Sequence, residues 1–136
     1  MPRITGGSLG SRKLRSPKGT HVRPTPGRVK ESLFSILMPR LAGARVLDLF
    51  AGTGAIGFEA ASRGASRVVS VEGQREIAHA IEDAVKSLGV EDVVTVFPAP
   101  AERARQTAWA TEMEMRRGPP AAGQCQQRLN LPLAGC

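Results

Sequence analysis

Cysteine and histidine are scarce, and their scarcity removes two kinds of chemistry at the outset. Cys125 and Cys136 fall in the last dozen residues, too few and too far apart to hold zinc by themselves, and they imply no redox centre. His21 and His79 are isolated and read as surface or packing residues, so no metal is expected. Long apolar runs are missing as well. Nothing after the early basic residues resembles the core of a signal peptide, and no run is long enough to span a bilayer. A cytoplasmic location, with no membrane partner, is the expectation. At 136 residues there is room for one domain with a modest core.

Acidic residues are scarce in one region only. Residues 1–40 carry nine Lys and Arg against a single acid, Glu31, whereas residues 41–136 carry ten against eleven. The formal charge of +7 is therefore an N-terminal feature. A local excess of this size reads as an electrostatic footprint for nucleic acid. A solvated basic arm or an anionic membrane surface would look the same on charge alone, and the membrane is the weaker of these because the segment is studded with Gly and Pro and has no amphipathic helical stripe.

Residues 3–14 hold two short mixed runs around Gly6, Gly7 and Gly10, which suits a β-hairpin or an irregular basic arm. Thr25-Pro26 then offers an N-cap and a proline at the first helical position. Val29, Leu33, Ile36 and Leu37 recur at helical spacing, with Arg28, Lys30 and Ser35 off that face, and Pro39 is expected to stop the helix. That apolar stripe is expected to face the core. Strands are expected at 45–50, 67–71 and 92–97, with helices at 55–63 and 74–88 stopped by Gly64 and Gly89. Alternation at these lengths predicts an α/β fold with a parallel, doubly wound sheet and a ligand crevice at the carboxyl ends of its strands. The sheet stops at three strands, which leaves one edge of the first strand open to self-association. The domain reading is a basic arm at 1–24, a partial ligand-binding Rossmann-like domain at 25–98, and a divergent tail at 99–136 that is expected to be disordered.

The cofactor reading rests on residues 46–57, an apolar strand carrying Asp48, a glycine-rich turn, and the start of a small-residue helix. Gly52 and Gly54 let the backbone turn tightly against a ligand, and Gly57 lets helix and strand approach. Glu72, at the end of the next strand, stands at about the distance where such βαβ units place an acid for ribose hydroxyls. The three glycines also satisfy a dinucleotide pattern, so charge has to choose the ligand. A carboxylate four residues before the first glycine would repel a pyrophosphate on the helix N-terminus, whereas it can pair with the ammonium of S-adenosylmethionine. Two alternatives stay open: a purely structural Asp48 that caps the turn through nearby amides, and NAD or FAD as the ligand.

These residues resemble the RsmD-like family of bacterial methyltransferases that modify the exocyclic N2 of a guanine in small-subunit rRNA. The resemblance covers roughly residues 3–97. It is carried by Arg23-Pro-Thr-Pro-Gly-Arg28-Val-Lys-Glu31-Ser-Leu-Phe34, by Val46 to Gly57, by Val71-Glu72, and by Gly6-Gly7 followed by Arg12-Lys13-Leu14. It implies that Asp48, Gly52 and Gly54 hold the methionine end of the donor and Glu72 its ribose. It implies that Thr25, Arg28 and Phe50 help close the pocket, and that Arg12, Lys13, Arg15, Lys18 and Arg23 face RNA.

The chain also departs from the family. The Asn/Asp-Pro-Pro-aromatic segment that orients the guanine is absent: Pro119-Pro120 is preceded by Gly118 and followed by Ala121. Where the family shows Asp-Ala near the adenine, this chain has Pro100-Ala101. No catalytic residue is assigned, activity is expected to be lost or impaired, and the sequence beyond about residue 98 reads as truncated or frame-altered. The competing functions are a non-catalytic basic RNA-binding module and an NAD-binding oxidoreductase fragment.

Overall fold

A computed structural model describes residues 2–19 and 21–104. The N-terminal segment closes on itself through an antiparallel bridge between Arg3 and Lys13, with Ile4 N–H donating to the Arg12 carbonyl at 3.0 Å. Ile4 and Leu14 alternate inward from this hairpin and are buried in the main core. The arm is thus packed into the same compact unit as the strands and helices that follow it.

Those elements are α1 (Gly27–Leu41), β1 (Arg45–Asp48), α2 (Ala55–Ser62), β2 (Arg67–Glu72), α3 (Arg75–Leu88) and β3 (Val94–Pro98). The strands form a parallel sheet in the order β1-β2-β3, with Asp48 level with Ser70 and Glu72 level with Pro98. Among the described residues, β1 is paired on one side only, as the strand count predicts. Helix α2 packs on all three strands and α3 on β2 and β3. Gly57 makes the α2 contact possible: a Cβ there would stand 2.7 Å from Ser70 Oγ and 3.1 Å from Val68 Cγ1. The expected stripe of α3 is buried through Ile77, Ile81 and Val85, with Ala84 and Leu88 packed beside them. Gly89 ends that helix in the left-handed region at φ 66°.

Helix α1 departs from expectation in three ways. Pro26, not Thr25, is the capping residue, and no side chain caps the helix. Pro39 lies inside the last turn, and the helix runs on to Leu41, whose burial holds that turn despite the missing proline amide. The inward face is also rotated by one residue. Lys30, Phe34 and Leu41 are buried, whereas Val29, Leu33, Ile36 and Leu37 are 53%, 38%, 77% and 37% exposed. The reason is a buried carboxylate on α2, described below, that draws Lys30 inward and Phe34, one turn on, with it. Smaller shifts occur in the sheet: β1 gives way to the turn after Asp48, and β3 begins at Val94. Residues 101–104 form a helical turn. The tail from 105 onward lies outside the described residues, as do Pro119-Pro120 and both cysteines.

Candidate cofactor site

Strands β1 and β2 are parallel neighbours, so their carboxyl ends bring Asp48 and Glu72 to one edge of the sheet. Between them runs the turn of residues 49–54. Gly52 and Gly54 hold φ of 54° and 76°, a region that side chains with a Cβ enter at a cost, and Gly54 N–H donates to the Ala51 carbonyl at 2.7 Å. The turn is tied to β2 twice. Ala51 N–H donates to the Val71 carbonyl at 2.9 Å, and Gly52 N–H donates to Glu72 Oε2 at 2.9 Å. The other Glu72 oxygen accepts Gln74 N–H at 2.9 Å. Glu72 therefore shapes the turn, and each of its oxygens keeps a second lone pair for a hydroxyl.

Asp48 is half-buried. Its Oδ1 accepts a long bond from Phe50 N–H at 3.3 Å, which is the turn-capping role considered from the sequence. That role uses one oxygen. Oδ2 is buried and has no hydrogen-bond partner among the described residues. Burial pushes the Asp48 carboxyl above its ordinary pKa, the Phe50 amide opposes that, and the charge of Glu72 adds to it. A half-buried carboxylate with an unsatisfied oxygen and an acidic neighbour favours a cationic donor such as an ammonium and disfavours a phosphate. The residues present thus fit the methionine end of S-adenosylmethionine. No group of His, Cys, Asp and Glu among the described residues could hold a metal ion.

The remaining sequence candidates are less tightly gathered. Phe50, on the turn itself, is 79% exposed. Thr25 is half-buried just before α1 and Arg28 exposed on its first turn; no hydrogen bond among the described residues joins either to Asp48 or Glu72. Val22, which no pattern in the sequence singles out, lies over the turn: a Cβ on Gly52 would meet its Cγ1 at 3.1 Å. Pro100 stands beside Gly73, the residue after Glu72, with its Cα 3.4 Å from where a Cβ on Gly73 would be.

The basic candidates Arg12, Lys13, Arg15, Lys18 and Arg23 are all exposed. What holds their segment was also missed in the sequence. Glu59, fully buried on α2, accepts Thr5 N–H at 2.9 Å, the Thr5 hydroxyl at 2.6 Å and Gly6 N–H at 2.9 Å. Arg63 donates to it through Nε and Nη2 at 3.0 and 2.9 Å, and Lys30 Nζ lies 3.7 Å from its other oxygen while donating to the Arg3 carbonyl. Burial alone would raise the Glu59 pKa, but the Thr5 and Arg63 hydrogen bonds and the Lys30 charge outweigh it and leave the group below its ordinary value. One turn further, Ser62 accepts Leu9 N–H at 2.9 Å through Oγ and Ser8 N–H at 2.8 Å through its carbonyl. The sequence signal was a lone acid in the small-residue helix with Arg four residues later.

Comparison with known proteins places the chain among relatives. Residues 2–115 match the family described as conserved hypothetical protein 95. The Bacillus subtilis protein YlbH is 37% identical over 114 residues, which cover 84% of this chain and 62% of that protein. The ribosomal RNA small subunit methyltransferase D of Escherichia coli K12 is 45% identical over 75 residues, covering 55% of this chain and 38% of the enzyme. A solved hypothetical protein of Thermus thermophilus superposes with a TM-score of 0.72 at 34% identity, over 82% of this chain and 63% of that one. The chain thus spans about two-fifths to three-fifths of the length of these relatives.

Proposed function

Because the chain belongs to the conserved hypothetical protein 95 family, the RsmD family, we propose that it forms the donor-binding part of a cytoplasmic S-adenosylmethionine-dependent methyltransferase. Its partner in this reading is small-subunit ribosomal RNA, and its target the exocyclic N2 of a guanine. The observation that carries the reading is the buried Oδ2 of Asp48 at the carboxyl edge of β1, which has no hydrogen-bond partner among the described residues. When bound, S-adenosylmethionine supplies an electrophilic methyl group on a sulfonium.

The chain's own residues have separate tasks. Asp48 pairs with the donor's ammonium. Gly52 and Gly54 admit the ligand against the backbone, and Glu72 accepts the ribose hydroxyls while keeping the turn in place. Thr25, Arg28 and Phe50 border the pocket. Arg12, Lys13, Arg15, Lys18 and Arg23 contact RNA phosphates, which position an RNA without reading its sequence. Transfer itself needs the amine nitrogen held in line with the methyl, and such positioning supplies on the order of 7–11 kcal/mol of barrier reduction. The sequence holds no Asn/Asp-Pro-Pro-aromatic segment to do this. The chain by itself is therefore expected to bind donor and RNA but to transfer no methyl group.

The test is calorimetric titration of S-adenosylhomocysteine into the full chain, with Asp48→Ala as control. Saturable binding that the substitution abolishes supports the reading. Binding of NAD in place of S-adenosylhomocysteine would favour the oxidoreductase alternative. RNA binding by a folded chain that binds neither would leave the non-catalytic RNA module.

A further inference from the structure

Among the groups that seat the N-terminal segment, the buried carboxylate of Glu59 gathers the most donors: the Thr5 amide and hydroxyl and the Gly6 amide. We propose that Glu59 is the positioning residue of the RNA-facing surface: it fixes the 3–14 hairpin on α2 and so sets Arg12 and Lys13 at a constant distance from the donor cradle. This rests on the RNA-binding part of the reading above.

Three observations carry it. First, the donors that converge on Glu59 belong to the arm itself, through Thr5 and Gly6, and to the two elements that flank it, through Lys30 on α1 and Arg63 after α2. A residue needed only to complete the fold of α2 would not need the arm's amides. Second, Glu59 lies on the helix that begins at the glycine turn, four residues or about 6 Å along the axis from Ala55. The hairpin and the cradle are therefore referenced to a single rigid element. Third, the segment returning from the hairpin is pinned at the other end as well, where Val22 meets Gly52. Between these two anchors stand Arg15 and Lys18, both exposed. The hairpin closes tightly on its seat: a Cβ at Gly7 would collide with the Ser62 carbonyl oxygen.

A row of cations held at fixed spacing engages several phosphates at once. Cations on an untethered arm engage fewer at a time and lose ordering entropy on binding. Glu59 touches neither ligand and acts through the cations it places.

The experiment measures binding of a fluorescein-labelled hairpin RNA to the full chain as a function of salt, with S-adenosylhomocysteine affinity measured in parallel. The substitutions are Glu59→Gln and the milder Thr5→Val, which removes the 2.6 Å hydroxyl bond but leaves Glu59 paired with Lys30 and Arg63. Both should weaken RNA binding and flatten its salt dependence, by about 0.7 in log–log slope for each phosphate no longer engaged. S-adenosylhomocysteine affinity should not change. In the background Arg12→Ala/Lys13→Ala, Thr5→Val should have a smaller effect on RNA than in the parent, because two of the cations it positions are gone.

Additive effects in that background, or an unchanged slope in a folded Thr5→Val chain, would overturn the proposal while leaving the RNA reading intact. Failure of the unsubstituted chain to bind the RNA at all would instead overturn that reading and this proposal together.

Discussion

Glu72 Oε2 accepts the Gly52 amide at 2.9 Å, so the acid at the end of β2 holds the glycine turn that follows β1. One carboxylate shapes the cradle, and its neighbour Asp48 is left with an oxygen to offer. The two acids are not interchangeable. Glu72→Gln keeps an acceptor for Gly52, whereas Glu72→Ala removes the tie. S-adenosylhomocysteine affinity by calorimetry should fall further for Ala than for Gln, and an equal loss would count against the clamp.

Donor binding should release a proton as pH falls into the range just above the ordinary carboxylate value. The Asp48 carboxyl is raised above its ordinary value in the free protein, chiefly by burial, and an ammonium paired with it would pull it back down. Between the two values binding expels a proton, and affinity falls as pH drops through the raised one. Titrations in two buffers of different ionisation enthalpy should differ there and agree near neutral pH; Asp48→Asn should remove the difference.

At Glu59 the shift runs the other way and bears on stability. Its folded pKa is held below the ordinary 4.5, so the unfolded chain binds the proton more readily. The contribution is complete above the ordinary carboxylate range and is lost as pH falls through it toward the folded value. Urea midpoints from pH 3 to 7 should show this acid limb, and Glu59→Gln should flatten it at the cost of overall stability, since Lys30 is left buried with its ion pair gone.

Gly57 and Ser70 form a coupled pair. Ser70 Oγ is buried with no partner among the described residues, and it is the atom nearest a Cβ added at Gly57. Ser70→Ala should stabilise the chain by about 1 kcal/mol, as an unsatisfied buried hydroxyl is removed. Gly57→Ala should cost about 1–3 kcal/mol by overpacking in the parent and less in the Ser70→Ala background. Equal costs in the two backgrounds, read from denaturation midpoints, would contradict the contact.

On α1, Phe34→Ala should cost about 3–5 kcal/mol, and Ile36→Ser only a few tenths. Phe34 is 1% exposed with the Arg63 guanidinium 5.3 Å from its ring centre, whereas Ile36 is 77% exposed. The apolar periodicity of the sequence predicts the reverse ranking.

That reversal marks the limit of what the sequence made legible. The strands and α3 could be read because apolar runs bounded by glycine have few alternatives: Ile77, Ile81 and Val85 face the core as their spacing requires. The cradle could be read because Asp48, Gly52, Gly54 and Gly57 are close in sequence and their geometry is local. Helix α1 could not be oriented in this way. Its stripe of Val29, Leu33, Ile36 and Leu37 is real, but the residue that fixes the helix is Lys30, through a partner on a later element. The roles of Glu59 and Val22 were hidden for the same reason, since each acts on a segment remote in sequence. Charge alone singles out Asp48, and the structure adds that one of its oxygens caps the turn while the other does not.

The bonds that seat the hairpin on Glu59 and Ser62 join residues 53 to 56 positions apart. A chain made from its N-terminus exposes Thr5 and Gly6 well before their acceptor exists, and closing a loop of that length carries an entropic cost that the seating bonds must recover. Folding order and synthesis order are therefore inverted at this edge of the molecule. The cationic surface is produced first and takes its shape only after the helix that anchors it has been made.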